Sequence, residues 1–384
     1  MWSFVSHTIP LYSLYSLLFV ESGLSRAQVS ALLTIWSVVG IVAEVPSGAL
    51  ADRFSRRGAL VASTMLQAIG YALWIAEPTF GGFAIGFALW GSGSSLSSGT
   101  FEALLYDGLA ASHAEDRYPG VIARATALGL VAQIPAAGLA SALFVLGGFA
   151  LVGWVSVGVC LLVSVLACAL PDHRPPSDDA KDATDASDAS DATDDDRGYL
   201  DTLRAGLRVV GSMPLVRRAA IVVAMLFGLD AMEEYFPLQI QSTGVRTVWV
   251  PILVLLIPLG GALGAALSGR GAHLSSRALG MLLSAAAGLL GLAAVWTRPA
   301  GVVAIAGFYG VYRFVLSVSE AGLQRQLPNT ARATATSVAA LGGEVVGLAV
   351  YGLWALGGLG AISVAVLLVA AVALRRKSLA SAAT

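Results

Sequence analysis

Lysine is almost missing from this chain of 384 residues: Lys181 and Lys377 stand against twenty-one arginines. Neither lysine closes a Gly-x-x-x-x-Gly-Lys-Ser/Thr loop, so the backbone cradle that an ATP-driven pump needs is absent. Only two cysteines occur, Cys160 and Cys168, both in one apolar run, where a cysteine acts as a small buried hydrophobe. The four histidines (His7, His113, His173, His273) are far apart and none has ligand spacing, which argues against a metal centre or a membrane-embedded enzyme. No cofactor is expected. Charge itself is scarce, at 12 % of residues against about 25 % in an ordinary soluble domain. With so little charge and no basic tract, nucleic acid is not an expected partner.

What is present is hydrocarbon. The chain is 57 % hydrophobic with a mean hydropathy of +0.77, and apolar runs of about twenty residues recur along its length, the number needed to cross a bilayer. Counting between charged or turn-rich breaks gives twelve spans: 3–20, 28–50, 58–76, 82–106, 121–146, 150–170, 215–240, 248–269, 277–296, 301–324, 333–356 and 359–374. The first lacks the basic start and small-residue cleavage site of a secretion signal, so it reads as a retained helix. The expected fold is therefore an all-α membrane protein. Ten of the twenty-four acids lie between Asp172 and Asp196, in an aromatic-free stretch too polar to bury a core. This divides the chain into a six-helix bundle (1–170), an acidic linker (171–214), a second six-helix bundle (215–377) and a short tail (378–384).

Basic residues set the orientation. With the amino terminus inside, nineteen of the twenty-three lie on the cytoplasmic side, three (Arg26, Arg246, Arg298) lie outside and Arg313 falls within a span. Both termini and the linker are then cytoplasmic. Arginine in place of lysine, with abundant alanine, matches a GC-rich bacterial genome and hence the inner membrane.

The halves also echo each other. "RATALG" (124–129) and "RATATS" (332–337) open spans five and eleven. "EALLYDGL" (102–109) and "EAGLQRQL" (320–327) close spans four and ten, 218 residues apart. "GALADRFSR" (48–56) aligns with "GRGAHLSSR" (269–277). Three weak matches in order, each at the same place relative to its spans, indicate a duplicated six-helix unit.

Between spans two and three, "GALADRFSRR" resembles the loop signature of the major facilitator superfamily, a glycine, three residues, then Asp-Arg-x-Gly-Arg-Arg, with Ser55 where glycine is usual. Together with twelve spans and a six-plus-six duplication, the resemblance covers essentially the whole chain. It implies two bundles that alternate access around a central cavity. It also implies a cytoplasmic gate at Gly48, Asp52, Arg53, Arg56 and Arg57, with Asp52 and the arginines in a charge network that rearranges on switching. The competing reading of the motif is a topology anchor. Beyond Ser55, this sequence departs from the family pattern in three places. Span four has no arginine in "GFALWGSGSS" (86–95), the antiporter pattern of span five keeps only Pro135 and Gly138, and His273 stands where the first loop has Asp52.

Charges inside spans cost about 2.5–3.5 kcal/mol near a helix centre and point to a site. Eight lie four or more residues in from a span end: Glu44, Glu102, Asp230, Glu233, Glu234, Arg313, Glu320 and Glu344, in spans two, four, seven, ten and eleven. Spans three, six, nine and twelve, outermost in the family, have none at that depth. Glu44, Glu102 and Glu320 lie toward the cytoplasm and join the gate, or bond to serines such as Ser97, Ser98 and Ser317. At 1.5 Å per residue, Arg313 lies about 18 Å into span ten from outside and Glu344 about 16 Å into span eleven from inside, so they are expected to pair, as a site or as a packing strut. Asp230, about 22 Å along span seven, is followed by Glu233 and Glu234 on one helical face, an outer gate or vestibule. These five are the expected substrate and coupling residues. Trp36, Trp90, Tyr309 and Tyr312 suit a cavity lining, and the two tryptophans equally suit an interface anchor. Gly260 and Gly264, and Gly343 and Gly347, have the spacing of close helix contacts.

The sequence therefore predicts a monomeric secondary transporter in a lipid bilayer, carrying a small organic solute, with proton-coupled efflux as the leading reading and Glu344 as the coupling carboxylate. A sugar or metabolite uptake carrier, or a transport-inactive sensor on the same scaffold, are the alternatives.

Overall fold

The computed structural model describes residues 1–53, 55–170, 214–327 and 332–374, with backbone alone at 45–53, 214–215 and 332–334. Among these residues every regular element is helical. Contacts divide the chain into two compact units, Met1–Tyr199 and Leu200–Thr384. The expected linker, apart from Pro214, and the expected tail lie outside the described residues.

Unit 1 contains α1 (Trp2–Ser6), α2 (Tyr15–Glu21), α3 (Arg26–Arg53), α4 (Arg56–Ala76), α5 (Phe80–Ser97), α6 (Thr100–Ala110) and α7 (Tyr118–Cys168). The first expected span is broken rather than continuous. Pro10, which has no N–H to donate, opens a 3-10 turn over Pro10–Ser13. The fourth expected span breaks between α5 and α6, where Gly99 takes φ +66°, a left-handed conformation that favours glycine. α7 has 51 residues, about 77 Å of helix against a hydrocarbon core of about 30 Å, so it must hold two crossings. The chain leaves helical geometry at Gly147 and Gly148, the latter at φ +59°, which separates expected spans five and six.

Unit 2 contains α8 (Pro214–Leu229), α9 (Phe236–Ser242), α10 (Val250–Val254), α11 (Leu256–Leu267), α12 (Ser276–Val295), α13 (Gly301–Gln326) and α14 (Arg332–Leu374). Between α8 and α9 the seventh expected span narrows to a 3-10 turn, Asp230–Tyr235. α14 repeats the device of α7, turning at Gly358 with φ +60°. Seven segments of the described residues are long and apolar enough to cross a membrane. The spans missing from those seven are the interrupted ones, the first, fourth and seventh.

The same pairs pack in both units. α3 and α4 lie on α5, α4 on α7 and α1 on α7; correspondingly α11 and α12 lie on α13, α12 on α14 and α8 on α14. This recurrence is the structural counterpart of the sequence echoes. Glycines let the helices touch: a side chain at Gly264 would strike the Gly310 carbonyl, and one at Gly228 would sit 2.5 Å from the Gly343 carbonyl. Val145, Leu146, Val165, Leu263, Met281 and Leu368 are each at least 60 % exposed, an apolar outer surface that lipid rather than water solvates.

Candidate functional site

The loop signature lies at the α3–α4 junction. Gly48, Asp52 and Arg53 are in the last turns of α3, and their side chains lie outside the described residues. Ser55, the departure from the signature, caps α4: its hydroxyl accepts a hydrogen bond from the Gly58 N–H at 3.0 Å. A glycine there would leave that helix end without a side-chain cap. Arg56 makes an ion pair with Asp107 at the end of α6, tying the start of one span to the end of the next. Arg57 is exposed. Ser98 donates to Glu44 at 3.0 Å, the serine contact expected for that carboxylate. Glu102 lies in the first turn of α6, where a helix dipole favours a negative charge. Glu320 is half-buried on α13. Sequence reasoning did not single out Asp107, because nothing in the chain order announces that residue 107 returns to residue 56.

The second cluster is inside unit 2. Arg313 Nη1 lies 3.1 Å from Asp230 Oδ2. Four residues earlier on the same face of α13, Tyr309 donates toward Asp230 Oδ1 at 2.8 Å and Glu233 Oε2 at 2.9 Å. The guanidinium carbon is 6.0 Å from the Tyr309 ring centre, a cation–π contact. Tyr312 is fully buried and donates to the Leu226 carbonyl at 2.6 Å, holding α13 against the end of α8. Gly261 is the floor. A side chain there would come within 2.7 Å of the Tyr309 ring and 3.1 Å of the Arg313 stem. Among the described residues, this is where intramembrane charges of both signs converge.

Two expectations change here. Arg313 pairs with Asp230 and not with Glu344, because depth along straight helices ignores both the narrowed turn at Asp230 and the reach of an arginine stem. Glu233 and Glu234 do not share a face. In a 3-10 turn residues three apart eclipse, which puts Glu233 over Asp230 and carries Glu234 about 120° round. Glu234 and Glu344 come within electrostatic reach of Tyr351 on α14, as Glu233 also does. Tyr235, beside them, stacks on Trp354 at 4.3 Å.

Trp36 and Trp90 are not isolated anchors. They contact each other at 5.8 Å, and Trp90 also meets Tyr12, Tyr15, Tyr71, Trp74 and Phe87 at 5.7–6.0 Å. Unit 1 thus carries an aromatic cluster where unit 2 carries charge.

Comparison with known proteins agrees with this architecture. A 174-residue stretch is 31 % identical to the enterobactin exporter EntS of Escherichia coli strain HS, covering 42 % of this chain and 39 % of the relative, so the match spans about two fifths of that protein's length. The solved nucleoside transporter NupG superposes with a TM-score of 0.69 at 14 % identity, over 97 % of this chain and 95 % of that one. The D-xylose-proton symporter gives 0.66 at 16 %, over 97 % and 94 %. At such identities the superpositions show the shared fold. The family model described as Major Facilitator Superfamily matches residues 2–351, and this chain is a multi-pass membrane protein of that superfamily.

Proposed function

We propose that this chain exports a small organic solute by alternating access, driven by protons exchanged at the Asp230–Glu233–Tyr309 cluster. One observation supports this most. A phenol has a single hydrogen, yet the Tyr309 oxygen lies within 2.9 Å of both carboxylates. The arrangement is fully satisfied when one carboxyl group carries a proton and donates it to the phenol oxygen. Arg313 balances the carboxylate that remains charged. Movement of Arg313 away from Asp230 would change which carboxyl holds the proton, the relay expected earlier of Glu344 now assigned to Asp230 and Glu233. The partial likeness to an exporter favours efflux, and the excess of carboxylates over the one arginine favours a cationic or amphiphilic solute. Uptake of a sugar or other metabolite remains the alternative reading.

The orientation belongs to the same proposal: an inner-membrane protein, active as a monomer, with both termini inside. A cysteine at Ser187 should resist an impermeant thiol reagent in intact cells, and one at Thr243 should react. The decisive experiment is flux in proteoliposomes under an imposed pH gradient. Asp230→Asn should retain solute exchange and lose gradient-driven accumulation. Accumulation that persists in this variant and collapses only when sodium is removed would overturn proton coupling.

A further inference from the structure

We propose that Tyr312 is a positioning residue: by fixing where the α-helical ladder of α8 gives way to the 3-10 turn, it selects which glutamate faces Tyr309 and Arg313. The far end of that turn has a cause in the sequence. Pro237 has no N–H, so the carbonyl four residues earlier, that of Glu233, loses its helical partner. The near end, at Asp230, has no such cause, because "LDAMEEYF" (229–236) contains neither proline nor glycine. Gly228 stays within α8 and serves the seam with α14. What stands at the near end is a side chain from another helix. In an α-helix the Leu226 carbonyl faces the N–H of residue 230, the first of the turn, and the Tyr312 hydroxyl donates to that same carbonyl at 2.6 Å. A side chain entering the ladder is one of the few causes of a sharp break. Tyr312 is also held in place: it is fully buried, stacks on Phe308 with ring centres 5.9 Å apart and planes within 13°, and meets Tyr309 at 5.6 Å. The break in the first span is built in a similar way. At the Pro10 turn the Leu11 N–H donates to the buried Ser156 hydroxyl of α7 at 2.9 Å, so a neighbouring helix holds the backbone there too.

The angle matters because two glutamates compete for one place. At about 100° per residue an α-helix puts Glu233 about 60° to one side of Asp230 and Glu234 about 40° to the other, so both flank the face that meets α13. At about 120° per residue the 3-10 turn brings Glu233 over Asp230 and carries Glu234 away. Tyr309 then reaches Glu233 at 2.9 Å together with Asp230 at 2.8 Å. One hydroxyl, set against a carbonyl seven residues before Glu233, thus decides which carboxylate joins Asp230. The consequence for coupling rests on the proton reading proposed above, whereas the geometry of the turn does not.

The test is a cross-link within the full chain, solubilised in a maltoside detergent, with Cys160→Ala and Cys168→Ala as background. Tyr309→Cys is combined with Glu233→Cys or with Glu234→Cys, and bridging by a short bifunctional thiosulfonate is read by mass spectrometry of the digest. Both pairs delete the Tyr309 contacts, so a bias that remains belongs to the turn. The Glu233 pair should bridge in excess of the Glu234 pair. Tyr312→Phe, or Tyr312→4-fluorophenylalanine, which also fills the volume of the lost hydroxyl, should erase that excess while circular dichroism and the melting temperature report an intact fold. Tyr312→4-aminophenylalanine, which keeps a donor at the same place, should retain it. Equal bridging of the two pairs with Tyr312 present would overturn the inference, and so would an excess that survives loss of the hydroxyl. Flux in proteoliposomes reads the consequence: Glu233→Gln should lose gradient-driven accumulation, and Glu233→Gln with Tyr312→Phe should regain part of it through Glu234. An absence of regain would overturn the assignment of Tyr312 to coupling. If Glu233→Gln alone accumulates normally, the proton reading fails, and the cross-links still decide whether Tyr312 sets the turn.

Discussion

The 218-residue offset that aligns Glu102 with Glu320 sets Gly91 of α5 opposite Tyr309 of α13, and Ser95 opposite Arg313. The helices on either side pair identically in the two units, so the scaffold is held constant and only the contents differ. In unit 1, Ser95 donates to the Gly40 and Gly91 carbonyls at 2.9 and 3.2 Å, and a side chain at Gly91 would sit 2.8 Å from the Trp36 carbonyl. That position is spent on close packing. In unit 2 the same position carries the ion pair and the phenol. Charge in unit 1 has moved to the helix ends, where Arg56 meets Asp107 and Ser98 meets Glu44. One copy of a duplicated bundle can therefore serve as an aromatic frame with an end-on latch while the other holds a polar site in its middle.

Breaking the polar site should have the largest effect. Arg313→Gln leaves Asp230 without its counter-charge in a membrane interior, and we expect transport to be lost and the melting temperature of the detergent-solubilised protein to fall. Adding Asp230→Asn should recover the melting temperature and leave transport lost. If the single variant melts with the wild type, the pair does not hold the turn at Asp230–Tyr235 in place.

Overpacking unit 1 comes next. A methyl group at Gly86 would strike the Trp74 indole, whose N–H donates to the Phe83 carbonyl at 3.1 Å. Gly86→Ala should cost about 1–3 kcal/mol by denaturant melting while gradient-driven exchange survives in the folded fraction. Loss of coupling at full stability would show that the aromatic frame is part of the site.

The latch should matter less for stability than for switching. Asp107→Asn should change stability by no more than about 1 kcal/mol yet alter thiol accessibility of single cysteines on the two membrane faces. Asp52→Asn should behave likewise at normal abundance. The smallest effect on transport is expected for Ser95→Ala, which loses one hydroxyl's bonds to helix carbonyls at a stability cost of about 0.5–1.5 kcal/mol, with transport retained. A transport defect there would erase the contrast between Ser95 and Arg313.

Much of this was legible in residue order. Twelve apolar runs, a scarcity of lysine and the paired motifs sufficed for the helical membrane fold and the duplication. Asp230, Glu233 and Arg313 stood out as soon as charge within a span was counted costly. The partners were less legible. Tyr309 and Tyr312 looked like a cavity lining, and only their hydroxyls at Asp230, Glu233 and the Leu226 carbonyl make them part of a network. Gly261 carried no signal at all, since its role is the space it leaves for a tyrosine and an arginine from another helix.

Solvation and stereochemistry, both local properties, were determined by the sequence alone. A run of twenty apolar side chains has one stable surrounding, and Pro10, Gly99, Gly148 and Gly358 interrupt helices because of their own backbone chemistry. Pairing was left to tertiary structure. Arg313 has carboxylates at comparable depth on two helices, and the choice of Asp230 over Glu344 depends on a 3-10 turn that rotates Glu233 and Glu234 apart. Angles of that kind come from how α8 seats on α14 through Gly228 and Gly343. No count along the chain contains them, because an ion pair of 3.1 Å is decided by the packing of the helices that carry it.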